Sequence, residues 1–309
     1  MLTILRAGMA TSLQDAGRPG YRQSGISLAG VMDHPAMETA NLLAGNSPDC
    51  AVLEITLGQC QFRFERDSWF ALTGAGCDAD LDGKTVWTGW RIPAKRGQIL
   101  TLSRATRGVR SYLAVDGGFD IPQVMASCST DLKAGFGGWQ GRYLRDGDML
   151  PLNLPTHHFS RSVGVRQLLW GNRIRVLPGP EYHEFSREAQ QAFWRTGWVL
   201  SPQSNRMGYR LQGRTLSRDT SRELLSHAVV PGTVQVTNGG QPVVLMADAQ
   251  TTGGYPRIGV VISADLYHLA QLRPGEPVHF IHCTLEQARQ AKQQQQHALD
   301  MIKWGLLAS

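Results

Sequence analysis

Two short loops concentrate more chemical function than a turn requires. The first, Thr11-Ser12-Leu13-Gln14-Asp15-Ala16-Gly17-Arg18-Pro19-Gly20-Tyr21-Arg22, followed by Gly25, Gly30 and Asp33, sets an amide, a carboxylate, guanidiniums and a phenol among glycines. Glycines let backbone N–H groups approach an anion, and a guanidinium holds a carboxylate or phosphate by two parallel bonds. Gln14, Asp15, Arg18 and Tyr21 are thus candidates to converge on a small ligand. A second reading stands beside it: Asp15-Ala16-Gly17 is a turn whose carboxylate bonds its own backbone, and Asp33 caps the helix that follows. The other loop, Asp248-Ala249-Gln250-Thr251-Thr252-Gly253-Gly254-Tyr255-Pro256, comes straight after the apolar run Val243–Met246 and repeats the style. A loop at a strand end is a normal place for a site, which makes Asp248, Gln250, Thr251, Thr252 and Tyr255 candidates too.

A third block, Ser204-Asn205-Arg206-Met207-Gly208-Tyr209-Arg210, adds Asn205 and Arg206, with Arg206 and Arg210 expected to be exposed. Ser127-Cys128-Ser129-Thr130-Asp131 before Gly135–Gly141 offers hydroxyls and a carboxylate, and reads equally as a set of turns. Nothing near Cys128 in sequence lowers a thiol pKa, so it is a weak nucleophile candidate. Other motifs fail. Asp82-Gly83-Lys84-Thr85 lacks the upstream glycine of a phosphate-binding loop and reads as a hairpin turn. Gly135–Gly141 breaks the dinucleotide pattern at Gln140. His279 and His282, three apart in a strand, point to opposite faces, and no metal site is expected. No G-x-S-x-G elbow occurs, so a self-contained hydrolase has no support.

The elements that must position these loops are mostly strands. Apolar runs are short and bounded by turn residues, as in Ala51–Leu57, Ile99–Leu102, Ser111–Val115, Val234–Val236, Val243–Met246 and Gly259–Ile262. Three helices are predicted. Asp33-His34-Pro35 opens one with Met37, Ala40, Leu43 and Ala44 on a single face and Gly45-Asn46 as its stop. Another runs from about Ser186 to Arg195 and closes at Gly197; the last starts at Thr284-Leu285-Glu286-Gln287, a capping box. Leu144-Arg145-Asp146-Gly147-Asp148 and Leu272-Arg273-Pro274-Gly275-Glu276 share one pattern and hint at two related halves, joined near Pro155–Arg173.

At 309 residues the chain exceeds what one core usually holds, so two domains are expected. A net charge of +6 comes from scattered basic residues, which argues against nucleic acid. Five cysteines without paired spacing fit a reducing cytoplasm, and no apolar run approaches membrane-spanning length.

In their order along the chain, Gln14-Asp15-Ala16-Gly17-Arg18, Gly30-Val31-Met32-Asp33, Ala40–Asn46, Leu53-Glu54-Ile55, Leu72-Thr73-Gly74-Ala75, Tyr112–Val115, Asn205–Arg210 and Gln250–Pro256 resemble one family. It includes the C subunit of bacterial 5-oxoprolinases, the Kip antagonist protein of bacilli, allophanate hydrolase subunit 2 and the carboxyltransferase region of urea amidolyase. The resemblance implies a mainly β fold with a few helices and two cyclophilin-like β-barrel domains, placed at 1–160 and, with the terminal helix, at 161–309. It implies ATP-dependent opening of 5-oxo-L-proline to L-glutamate, with ATP as cosubstrate and magnesium beside it. It also implies two 5-oxoprolinase partners, one of the Kip-inhibitor type and one of the LamB/YcsF type. On that reading Asp15, Arg18 and Asp248 are the catalytic expectations: Arg18 and Arg206 hold substrate carboxylate or phosphate oxygens, and Asp15 or Asp248 orients the lactam N–H or magnesium. Gln14, Tyr21, Asp33, Asn205, Gln250, Thr251, Thr252 and Tyr255 complete the substrate-binding set. A biotin-dependent carboxyltransferase and a non-enzymatic regulator of a kinase inhibitor are the rival readings. The sequence has no Met-Lys-Met biotin-attachment site, so the first rival needs a separate carrier.

Overall fold

The computed structural model describes residues 1–220 and 222–308. Its contacts divide the chain into two compact units: Met1–Arg18 with Ala29–Leu169 and His297–Ser309, and Pro19–Leu28 with Trp170–Gln296. The expected division at 160/161 lies near the Leu169/Trp170 step, but a ten-residue piece of the first loop is grouped with the second unit and the end of the last helix with the first.

The first unit is built on a ten-stranded sheet. Its axis is the long antiparallel pairing of Ser68–Leu81 with Ile99–Val115, running from Phe70↔Val115 to Leu81↔Leu100, with register shifts between Gly74 and Ala79. Apolar side chains alternate inward along these strands, and Leu2, Ile4, Phe62, Phe64, Phe70, Leu100 and Leu113 are fully buried in one cluster. The first helix, α1 (His34–Ala44), lays Ala36, Met37, Ala40 and Ala44 against Val52, Tyr112 and Ala114. Its start is the predicted one: Asp33 Oδ1 accepts from Ala36 N at 3.0 Å, and Gly45 ends it. Asp82-Gly83 forms the expected tight hairpin, joining Ser68–Leu81 to Lys84–Val86.

The second unit is a closed barrel of seven strands, in the order Arg173–Pro178, Arg257–Val261, Thr233–Val236, Pro242–Leu245, Gly208–Gln212, Trp198–Leu200 and Pro277–His282. Closure comes from the parallel pairing of Arg173–Val176 with His279–His282, which leaves no open edge at that seam. Helix α2 (Arg187–Arg195) is capped by Ser186, whose Oγ accepts from Ala189 N at 3.1 Å. It ends at Thr196 in extended conformation, one residue before the predicted Gly197. A short helix, α3 (Leu266–Ala270), precedes the final α4 (Leu285–Leu307). The capping box at its start is reciprocal: Thr284 N donates to Gln287 Oε1 at 2.9 Å and Gln287 N to Thr284 Oγ1 at 3.2 Å. Among the described residues no helix is long and apolar enough to cross a membrane.

The matching turns predicted in the two halves share one hydrogen-bond pattern. Asp148 N donates to Arg145 O and Arg145 N to Asp148 Oδ2; Glu276 N donates to Arg273 O and Arg273 N to Glu276 Oε2. Gly147 and Gly275 take φ of 91° and 88°, where a side chain is strained.

Candidate functional site

The first loop, expected to present Gln14, Asp15 and Arg18 to a ligand, instead closes on its own unit. Asp15 Oδ1 accepts from Gly17 N (2.8 Å), Ser127 Oγ (2.7 Å) and Ser129 Oγ (2.5 Å), while Oδ2 accepts from Cys128 N (2.5 Å). Its acceptor capacity is spent inside the fold. Gln14 Nε2 donates to Ser12 Oγ and to the Thr130 carbonyl oxygen. Arg18 is 0% exposed, donates through Nη2 to the Ser129 carbonyl oxygen, and stacks over the Phe136 ring at 4.8 Å. The glycine-rich loop is what permits this cover: a Cβ on Gly137 would collide with the Ser129 carbonyl oxygen and sit 2.9 Å from Arg18 Nη2. Ser127–Asp131 and Gly135–Gly141, read from sequence as separate features, are therefore the lining of the Asp15–Arg18 turn. Burial pushes the Cys128 thiol up to about 11, with the Asp15 carboxylate adding to the rise, so it stays protonated at neutral pH.

Asp33 is likewise structural in its geometry. Besides capping α1, its backbone N–H donates to the Tyr112 hydroxyl at 2.9 Å, and that hydroxyl donates to Glu54 Oε2 at 2.9 Å. Burial, then the Glu54 and Asp33 carboxylates, raise the Tyr112 phenol well above its ordinary value, which fixes it as a donor in this network. Tyr21 is grouped with the barrel unit, apart from Gln14, Asp15 and Arg18, and is an exposed side chain there.

The barrel brings the other candidates together. Arg206 was expected at the surface and is only 7% exposed, because it forms a two-point pair with Asp248: Nε to Oδ2 and Nη2 to Oδ1, both 2.8 Å. Asp248 N also donates to Arg206 O at 2.9 Å, so the pair staples the Asn205–Arg210 segment to the loop after Pro242–Leu245. With each partner spending its charge on the other, neither Arg206 nor Asp248 lines the cleft that these two segments frame. The cleft has a volume of about 230 Å³, and its polar lining is Asn205, Arg210, Gln235, Thr237, Gln250 and Tyr255. That is below the roughly 300–1,000 Å³ of pockets for drug-sized ligands and suits a smaller molecule.

Within the cleft the roles can be read atom by atom. Asn205 Oδ1 accepts from Met207 N at 2.9 Å, leaving its amide N–H groups to donate. Gln235 Nε2 donates to the Tyr255 carbonyl oxygen at 3.3 Å and anchors that end of the loop. Arg210 is exposed and has no carboxylate partner among the described residues. Thr251 and Thr252 do not line the cleft; Thr252 pairs with Ala228 in a two-stranded ladder that also joins Gly253 to His227. Tyr255, 44% exposed, also borders a second cleft of about 410 Å³ where Arg218 and Arg222 both donate to Glu184. Sequence reasoning missed Arg210 as a site residue, and missed Gln235 and Thr237 altogether. The available signal was Gln235 itself, a polar side chain between Val234 and Val236 in the strand Thr233–Val236. Among the described residues no group of three or more His, Cys, Asp or Glu side chains could hold a metal ion.

Known proteins share this architecture. Over 306 residues the chain is 62% identical to the C subunit of the 5-oxoprolinase of Escherichia coli, a match that covers 99% of both chains. It is 44% identical over 304 residues to the corresponding C subunit of Haemophilus influenzae, covering 98% of each. Among solved structures, the urea amidolyase of K. lactis is similar with a TM-score of 0.90 and 30% identity over 97% of this chain. The match covers 20% of that much longer chain. A family model described as the carboxyltransferase domain, subdomain A and B, matches residues 24–282, and with it the whole barrel and most of the first unit's sheet; the chain belongs to this family.

Proposed function

We propose that this chain is one component of an ATP-dependent 5-oxoprolinase and that its barrel cleft holds the lactam. The reaction converts 5-oxo-L-proline, ATP and water to L-glutamate, ADP and phosphate. Near-full-length identity to two proteins named as the C subunit of 5-oxoprolinase supports the reaction class. The observation that carries the site is the meeting of Asn205, Gln250 and Arg210 around one small cavity. A lactam presents its N–H and C=O side by side in a cis arrangement. A carboxamide such as that of Gln250 offers the complementary acceptor and donor, and Asn205 has N–H groups left to donate. The substrate carboxylate then falls to Arg210, the guanidinium that lines the cleft, and the Arg206–Asp248 pair holds the frame.

An unactivated lactam resists water because amide resonance protects its carbonyl, and coupling to ATP supplies the activation. Phosphoryl transfer needs positioning and charge stabilisation more than covalent help from the protein. Magnesium accompanying ATP keeps several waters and is held through the phosphates and one or two carboxylates, and the share of the reaction proposed for this chain is to hold and orient the lactam. A Kip-inhibitor-type protein and a LamB/YcsF-type protein are the proposed partners, and the five free cysteines suit a cytoplasmic setting.

The test is ATP-dependent glutamate release from 5-oxoproline by the chain alone, with both partners, and with each omitted. Activity in the full mixture whose kcat/KM falls about thirtyfold with Arg210→Ala supports the reading. A correctly assembled complex that releases no glutamate sinks it and favours carboxyl transfer to another amide, the activity for which the family model is named.

A further inference from the structure

The first loop has one residue that the site has not absorbed. Arg22 lies in Pro19–Leu28, the stretch grouped with the barrel unit despite its distance in sequence. Its Nη2 donates to the carbonyl oxygen of Val229 and lies 3.5 Å from the carbonyl oxygen of Gln250. These acceptors belong to the two sides of one joint. Val229 N donates to Thr251 O at 3.0 Å, and beyond it Ala228 pairs with Thr252 and His227 with Gly253. Arg22 therefore closes the ladder at the point where the chain enters Gln250, whose side chain lines the cleft.

Two carbonyl oxygens gathered at one point repel, and a guanidinium is the side chain that satisfies both while supplying positive charge. The arrangement has a cost. Nη1 of Arg22 is buried without a partner among the described residues, and burial lowers the guanidinium's pKa. An apolar side chain filling the same space would leave no such donor unpaired. A group kept at that cost beside the substrate loop is explained by what it holds in place.

We propose that Arg22 is a positioning residue: it fixes the main chain at Val229 and Gln250, and so sets the reach of the Gln250 carboxamide into the cleft. The proposal rests on the reading that the cleft holds the lactam. Hydrogen exchange on the intact chain, comparing wild type with Arg22→Ala, reads the tether directly. Amides of residues 227–230 and 249–254 are expected to exchange about tenfold faster in the variant, with the rest of the barrel unchanged. In the assembled complex, Arg22→Ala raises KM for 5-oxoproline about tenfold while kcat stays within about twofold, and Arg22→Lys recovers much of the loss. Unchanged exchange overturns the proposal whatever the activity does, and so does faster exchange with an unaltered KM. If Arg22→Ala does not fold, Arg22→Gln is read in the same way. A wild-type complex that releases no glutamate defeats the functional reading, while the exchange measurement by itself still decides the tether.

Discussion

The loops around Asp15 and Asp248 have nearly the same ingredients, a carboxylate, an amide, hydroxyls, glycines and a nearby arginine, yet the structure uses them in opposite ways. Around Asp15 the carboxylate turns inward onto Ser127, Cys128 and Ser129, and Arg18 is sealed beneath Phe136 and the glycine-rich loop. Around Asp248 the charges also turn inward, onto each other through Arg206, but the amides of Gln250 and Asn205 remain at a cavity. The difference teaches that charge in a motif is a poor guide to what faces a cavity. Taking a charge out of water is expensive unless it is paired, so the strongest ions become the frame. Neutral amides, which cost less to leave half-satisfied, stay at the cavity beside the exposed Arg210.

The largest effect that could break this comparison is Asp15→Ala, which strips the acceptor from four donors at once. It should cost about 3–5 kcal/mol of stability, measured by denaturant unfolding; a variant of normal stability that is selectively inactive would make Asp15 a site residue after all. Next comes Asp248→Ala, expected to lose about 3 kcal/mol by leaving Arg206 buried and alone, with the double variant Arg206→Met/Asp248→Leu regaining most of it. A double variant as unstable as the single one would show that the pair does more than neutralise itself. Arg210→Ala should leave stability within about 0.5 kcal/mol while kcat/KM for 5-oxoproline falls about thirtyfold, or about 2 kcal/mol. Turnover of 2-pyrrolidinone, which lacks the carboxylate, should not change; an equal loss on both substrates removes Arg210 from carboxylate binding.

The smallest effect is a control on an ion pair of the barrel unit that does not itself line the cleft. Glu181 is raised by burial but lowered more by the bonds from Arg257, at 2.6 and 2.8 Å, so its folded pKa lies below the ordinary value. A depressed carboxylate stabilises above its unfolded pKa and loses that contribution as pH falls through the folded one. Arg257→Leu should therefore destabilise by about 1–2 kcal/mol at neutral pH, with the gap to wild type narrowing below about pH 4.3. Melting curves from pH 7 to 3 check the sign, and a gap that widens on acidification contradicts it.

How much could be read in advance depended on range. Helix ends are local, so Asp33, Ser186 and the Thr284–Gln287 box announced themselves through residue type and spacing, and each makes its cap. The short apolar runs gave the strands for the same reason, and the Leu-Arg-x-Gly-acid echo marked turns that share a hydrogen-bond pattern. Pairings at long range left no such trace. Nothing near Asp15 signals that Ser129 will be its partner, and nothing near Arg206 says that Asp248 will draw it out of solvent. The family resemblance supplied the fold and reaction class; the cleft needed the barrel to be closed before Gln235 and Thr237 could join it.

The distance between those partners also shapes how the protein comes into being. Ser129 trails Asp15 by 114 residues and Val229 trails Arg22 by 207. At synthesis rates of about 5–20 residues per second, the nascent chain carries Asp15 for roughly 6–23 s before Ser129 is made and Arg22 for roughly 10–41 s before Val229 is made. Both arise early and wait for late arrivals, so neither the Asp15 network nor the Arg22 tether can close until the chain has been made past Ser129 and Val229.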